Sequence, residues 1–277
     1  MTLKFLFGAD PELFLQHHLD GTFHSAHGII PGTKKDPHRI ALGAVQVDGT
    51  ALEYNIDPVS SLSQWMNNHT VVRRILSLMI NSIRPDLVVT AVPTAFYTQA
   101  VWDHIPDTAK ELGCDPDFNA YKGEENKKPE TTETFRTGSG HIHIGWGERF
   151  DPYNNIHFRI CCDLVRQLDA VLYIPSLVWD SDIKRRTLYG ARGAFRPKPY
   201  GLEYRVLSNK WLDNPKIMAW VFSATKRATE LFFEGRRIFE ENFVNDTIEK
   251  EFFMAEEKTD FIDTLVKQYG ILRMPKV

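Results

Sequence analysis

What this chain of 277 residues has little of narrows its possibilities first. It has three cysteines, Cys114, Cys161 and Cys162, an odd count with no CxxC pair. That argues against a disulfide framework and a thiolate zinc site, and reduced thiols in a cytoplasmic setting are expected (that of the host cell, if the chain is phage-encoded). No apolar run approaches the roughly 18 residues of a membrane span, so no membrane partner is expected. The opening run Met1–Gly8 meets Asp10 almost at once, too short an apolar stretch for a signal peptide. Net charge is −3, so no global basic field draws the chain to nucleic acid. Any anionic ligand must be met by local arginines. GxxxxGK[ST] is missing, which excludes a P-loop. There is no repeat, Ser/Gly-rich linker or low-complexity tract.

Hydrophobic residues make up 43% and charged residues 25%, the balance of a globular protein with a sizeable core. Length allows one or two domains; with the polar stretch 114–135 as the only weak boundary, a single domain over 1–277 is expected, with C-terminal helices from about residue 214. Leu3–Leu15 reads as a strand interrupted at Asp10-Pro11, with Phe23–Ala26 as hairpin partner after Asp20-Gly21. Gly28–Arg39 reads as a loop. Ala44–Ile56 reads as a strand with a turn or bulge at Asp48-Gly49. Ser60–Ile83 carries a helical stripe capped by Ser60 or Ser61. Leu87–Ala95 is a predicted strand, Thr98–Leu112 holds a short helix, and 114–135 is a polar surface loop. A strand around His141–Ile144, a helix over Asn155–Tyr173, a strand over Tyr200–Leu207 and a helix from Asn214-Pro215 to about Phe239 follow. Two shorter helices come last, the final one near Thr259–Tyr269. Strands scattered among long helices without βαβ alternation predict an α+β fold with a mainly antiparallel sheet.

Five groups of residues carry chemistry. Asp10 and Glu12 alternate on a strand and can share a face; two adjacent carboxylates resist ionising together unless a cation such as Mg²⁺ lies between them. The plain alternative is a solvated Asp-Pro turn. Glu53 and Asn55 share a face opposite Leu52 and Tyr54, which by itself is an ordinary amphipathic strand. In Gly138-Ser139-Gly140-His141-Ile142-His143, the two histidines share one face at metal-ligand spacing, flanked by glycines that permit close approach. They can equally be two hydrogen-bonded histidines on a polar face. Glu203 and Arg205 share a face; they form either a surface ion pair or a metal acid beside a phosphate-binding guanidinium. Arg185, Arg186, Arg192 and Arg196 crowd into twelve residues, which suggests an anion site for a triphosphate, a phosphoryl group or a carboxylate. An RNA-contacting loop and a salt-bridged surface are the alternatives.

The ordered set resembles a known series. GADPELFL, ALEYNI, GHIHIG, RRTLYGARGAFR and YGLEYRVLSN together look like the phage-type carboxylate–amine ligases, or amidoligases, of the glutamine synthetase and glutamate–cysteine ligase superfamily. DPE stands where ExE is usual. The resemblance runs from about residue 8 to 222. It implies a curved, mainly antiparallel sheet backed by helices, and an ATP- and Mg²⁺-dependent (or Mn²⁺-dependent) ligase working through an acyl phosphate. By that likeness Asp10, Glu12, Glu53, His141 and Glu203 hold metal. Arg205, Arg196 and Arg192, with Glu53, serve catalysis. Arg185, Arg186, Arg192, Arg196, Arg205, His143 and Asn55 contact nucleotide or substrate. The partners implied are a small-molecule or peptide carboxylate and an amine donor; nucleic acid is not expected, and oligomeric state stays open. Two other readings also stay open: a metal-dependent hydrolase, which needs no ATP, and a degenerate ligase that binds nucleotide without turnover.

Overall fold

Pro11 cannot donate to a sheet ladder, and the break it makes organises the molecule. The structure, a computed structural model, describes residues 4–110, 117–127, 133–147, 149–249 and 255–275. Its strands are β1 (Leu6–Ala9), β2 (Glu12–His17), β3 (Phe23–His24), β4 (His38–Ile40), β5 (Gly43–Asp48), β6 (Ala51–Ile56), β7 (Leu87–Thr90) and β8 (Thr94–Phe96). They continue with β9 (Phe118–Asn119), β10 (Glu124–Glu125), β11 (Phe135–Thr137), β12 (Ile142–Gly145), β13 (Ala194–Lys198) and β14 (Gly201–Tyr204). On either side of Asp10-Pro11 the chain enters different sheets. β1 edges a first sheet in the order β1-β12-β14-β13-β9-β10; β2 joins a second, β3-β2-β6-β5-β4, where β7 also pairs with β2. β8 and β11 form a separate pair. Every pairing between these strands is antiparallel, and the sheets curve as a half-barrel. The expected α+β class with antiparallel sheets is what forms.

The turn signals act as predicted. Gly21 and Gly49 adopt φ of 74° and 60° at the β2–β3 and β5–β6 turns, where a Cβ would be strained. The helix Leu62–Ile83 starts after Ser61, whose side chain accepts the Gln64 N–H. Its Trp65, Val72, Leu76 and Ile80 are fully buried, each worth about 1.5–3 kcal/mol if aliphatic. This helix backs the second sheet, Asn155–Leu168 backs the first, and Pro215–Phe233 packs against both helices. Trp65 stacks on Trp211 at 5.8 Å and meets Phe222 at 5.4 Å. The apolar core therefore runs continuously from Phe7 to Met274.

Several elements differ from expectation. The predicted strand Leu87–Ala95 is two strands in different sheets, β7 and β8, with Pro93 between them. The helix Asn155–Tyr173 turns from α to π geometry at Asp169. The helix after Pro215 stops at Phe233, where Gly235 takes a φ of 85°, rather than continuing to Phe239. The polar stretch 114–135 holds β9, β10 and the start of β11, with Phe135 buried. Its residues 114–116 and 128–132, including Cys114, lie outside the described residues, as do Glu111 and Leu112. Among the described residues no helix is long and apolar enough to cross a membrane.

Candidate active site

A cavity of about 1140 Å³ opens between the two sheets. Strand register explains what lines it. His143, Glu203 and Arg196 stand opposite one another on β12, β14 and β13, one rung across three strands. At the rung's end on β1 stands Gly8, which adds no side chain. On the second sheet Glu53 of β6 lies between Glu12 of β2 and Gln46 of β5. Asp10, at the crossing from one sheet to the other, faces the first rung.

The first group is charged and paired. His143 Nε2 lies 2.9 Å from Asp10 Oδ1. On its other side, Nδ1 of His143 is hydrogen-bonded to the Tyr200 hydroxyl. His141 Nδ1 stands 3.4 Å from Asp10 and 3.5 Å from Glu203. Glu203 is buried yet meets the Arg205 guanidinium, Lys198 Nζ at 2.8 Å and Arg196 Nη1 at 3.2 Å. Burial opposes ionisation, but Arg205, His141 and Lys198 outweigh it and hold Glu203 well below the usual carboxylate range. Asp10 is likewise held low by His143 and His141 against its burial. His141 is lowered by burial and by Arg205, whereas Asp10 keeps His143 above its ordinary value despite burial.

The second group is acidic and short of cations. Glu12, Asp48 and Glu53 bring carboxylate oxygens within 4.8 Å of one another, as do the ligand atoms of Asp10, His141 and Glu203. Glu12 Oε2 accepts the Ser139 N–H at 2.8 Å, and Lys34 Nζ lies 2.7 Å from Asp48. Burial, then the charges of Asp10, Asp48 and Glu12, push Glu53 well above its ordinary value. Gln46 is buried beside it with its Oε1 lacking a partner. Oxygen donors around an uncompensated carboxylate suit a hard divalent cation, so this second donor set fits Mg²⁺, while Asp10, His141 and Glu203 form a mixed oxygen and nitrogen set that could also hold a metal.

The structure thus brings Asp10, Glu12, Glu53, Asn55, His141, His143, Arg196, Glu203 and Arg205 to one cavity. It does not bring Arg185, Arg186 or Arg192 there. Arg185 is buried and donates to the carbonyls of Val206 and Leu207, both at 2.7 Å, and of Arg205 at 3.4 Å. It braces the chain behind Arg205 instead of facing a phosphate. Arg186 donates to the Asp180 carbonyl, and Arg192 lies over the Tyr121 ring at 5.3 Å. The sequence reading missed Gln46, Asp48, Lys34, Lys198 and Tyr200. Gln46 and Asp48 do alternate on β5, as Arg196 and Lys198 do on β13, and that period of two was the available signal.

Residues 128–273 match the model of the phage phiEco32-like COOH.NH2 ligase-type 2 family. The chain belongs to that family. No curated protein matches it. The matched stretch of this family member contains His141, His143, Arg196, Glu203 and Arg205, while Asp10, Gln46, Asp48 and Glu53 precede it. The acids of the second sheet thus lie outside the matched stretch.

Proposed function

We propose that this COOH.NH2 ligase couples amide formation to ATP, with Mg²⁺, through an acyl phosphate. The observation that carries the reading is two metal-capable groups, Asp10/His141/Glu203 and Glu12/Asp48/Glu53, lining one cavity beside Arg196, Lys198 and Arg205. Phosphoryl transfer asks for charge neutralisation and positioning rather than a protein nucleophile. Mg²⁺, held by those carboxylates and His141, would neutralise phosphate oxygens.

The remaining steps fall to the chain's own groups. Arg196 and Arg205 bind oxygens of the transferring phosphoryl group, and Lys198 steadies Glu203 between them. The substrate carboxylate attacks the γ-phosphorus and ADP departs. The amine then attacks the acyl carbon, phosphate leaves, and the amine's proton passes to solvent or phosphate. Asn55 and His143 orient the substrates on the cavity wall. Substrates filling the cavity would displace water from the acyl phosphate. Cys161 and Cys162 are free thiols, which suits a reducing compartment, and the reading takes 1–277 as one catalytic unit.

The test is substrate-dependent ADP release with Mg²⁺ across a panel of carboxylates and amines, repeated with Glu12→Ala and Glu203→Ala. Both variants should lose the amine-dependent release. Full activity in either, or turnover without ATP as in a metal-dependent hydrolase, would sink the reading.

A further inference from the structure

The polar stretch that reads in the sequence as a surface loop carries an acid that the chemistry above does not use. Asp117 stands one residue ahead of β9. Its Oδ2 accepts from Arg205 Nε at 3.1 Å, and 17% of its side chain is exposed. Its Oδ1 accepts from Asn126 Nδ2 at 3.0 Å, and its carbonyl accepts from the Asn126 N–H at 2.8 Å. Asp117 belongs to neither metal-capable group and does not line the cavity.

The fold imposes this contact. β9 pairs with β13, Phe118 opposite Phe195. The Phe118 ring meets Phe158 edge-on at 5.1 Å and lies 6.1 Å from the Phe195 ring. The Ala120 N–H donates to the Gly193 carbonyl at 2.9 Å. Successive side chains of an extended chain point to opposite faces. With Phe118 turned to the helix Asn155–Leu168, Asp117 is turned away from it, toward Arg205.

Arg205 has reason to need such a hold. Its side chain is long and flexible, and a guanidinium recognises phosphate oxygens through a planar fork whose orientation matters. Glu203 meets the fork at Nη1. Glu203 also meets Arg196 and Lys198 and is part of a metal-capable group, so a bound cation would compete for its oxygens. Asp117 grips the same fork at Nε, a second point that fixes its plane and lies outside that competition.

We infer that Asp117 is a positioning residue: from the β9–β10 hairpin it keeps the Arg205 guanidinium set toward the transferring phosphoryl group. The inference rests on the ATP reading of Arg205 given above. It gives the hairpin a part in the site, and it complements Arg185, which braces the backbone on which Arg205 stands.

Calorimetric binding to the full chain tests it, with the Mg²⁺ complexes of ADP and of adenylyl imidodiphosphate, a non-hydrolysable ATP analogue. Arg205→Met should weaken the analogue by at least about tenfold and ADP by less than about twofold, since only the analogue carries the terminal phosphate. Asp117→Ala should show the same pattern. Asp117→Asn keeps the shape and loses the charge; it should weaken the analogue about fivefold, which keeps the test decisive where the alanine variant does not fold. Added to Arg205→Met, Asp117→Ala should cost less than about a further twofold, because it acts through the guanidinium. A loss that falls equally on ADP and the analogue would mark a merely structural role and overturn the inference, as would one that adds in full to Arg205→Met. Analogue binding weakened by Arg205→Met but untouched by the Asp117 variants would overturn the inference and leave the ATP reading standing. Analogue binding absent in the wild type, or unchanged by Arg205→Met, would overturn both.

Discussion

Glu12 and Glu53 stand directly opposite each other on β2 and β6, two carboxylates where a sheet ordinarily tolerates only one. Like charges in that position destabilise a sheet, and Asp48 adds a third. Natural sites keep such conflicts where function needs them.

Without metal, Glu53→Gln should therefore stabilise the fold, by about 1 kcal/mol on the scale of cross-strand charge pairs. The wild type should gain thermal stability on adding Mg²⁺, and the variant should gain much less. Melting curves with and without Mg²⁺ check both. A variant that is less stable than wild type in metal-free buffer would contradict the conflict.

Glu203 is the opposite case, a buried acid held by three cations. Removing one partner of a buried network leaves the others unpaired, at a cost of about 3–5 kcal/mol. Glu203→Ala should lose both stability and activity, whereas Glu203→Gln should keep more of the fold and still lose at least about a hundredfold in ADP release, as when one transition-state donor is removed. Denaturant melts beside single-turnover assays separate the two effects.

Arg185 should behave as a brace. Arg185→Met gives up three carbonyl partners, and hydrogen bonds to a charged group are worth about 1.5–3 kcal/mol each; a total loss of at least about 3 kcal/mol is expected in urea unfolding. Gly190→Ala should mimic it in part, because a Cβ there would lie 2.1 Å from Arg185 Nη1 on a backbone with φ of +81°. Neither change should alter the KM for ATP in the protein that remains folded, since neither residue reaches the cavity.

Asp169 supplies a pH dependence away from the cavity. Its carboxyl is fully buried and raised to about 7 by burial, against the hydrogen bonds of Tyr204 and Tyr121; Tyr204 Oη donates to it at 2.7 Å. The native state thus holds a proton that the unfolded chain releases near pH ~3.9. Its contribution is fully present below about pH 4 and is lost as pH rises to about 7, stability falling by about 1.4 kcal/mol for each pH unit crossed between the two. Asp169→Asn should flatten that slope in melts run from pH 4 to 8. An unchanged slope would remove Asp169 as its source.

Much of the fold was legible because local chemistry carries it. Asp20-Gly21 and Asp48-Gly49 need left-handed glycines, Ser61 needs an N–H to cap, and the Leu62–Ile83 stripe needs a core. Leu87–Ala95 misled because strand propensity flanks Pro93 on both sides; Pro93 marks the break in the sequence itself, but the pairing partners that send the two halves to different sheets are not visible locally. The arginine run misled for a related reason: density of charge says nothing of direction. Arg185 points inward to carbonyls, and Arg196, eleven residues on, points into the cavity.

By itself the sequence determined which side chains share a face: His141 with His143, Glu203 with Arg205, Glu53 with Asn55. Period two in a strand sets that without reference to anything distant. Only the tertiary structure decided which faces meet. Asp10 and Glu12 look like one acidic pair in the sequence, yet the Pro11 crossing sends Asp10 to His143 on one sheet and Glu12 to Glu53 on the other. Asp48, Lys34 and Lys198 joined them through register and loop packing, which depend on contacts between residues far apart in the chain.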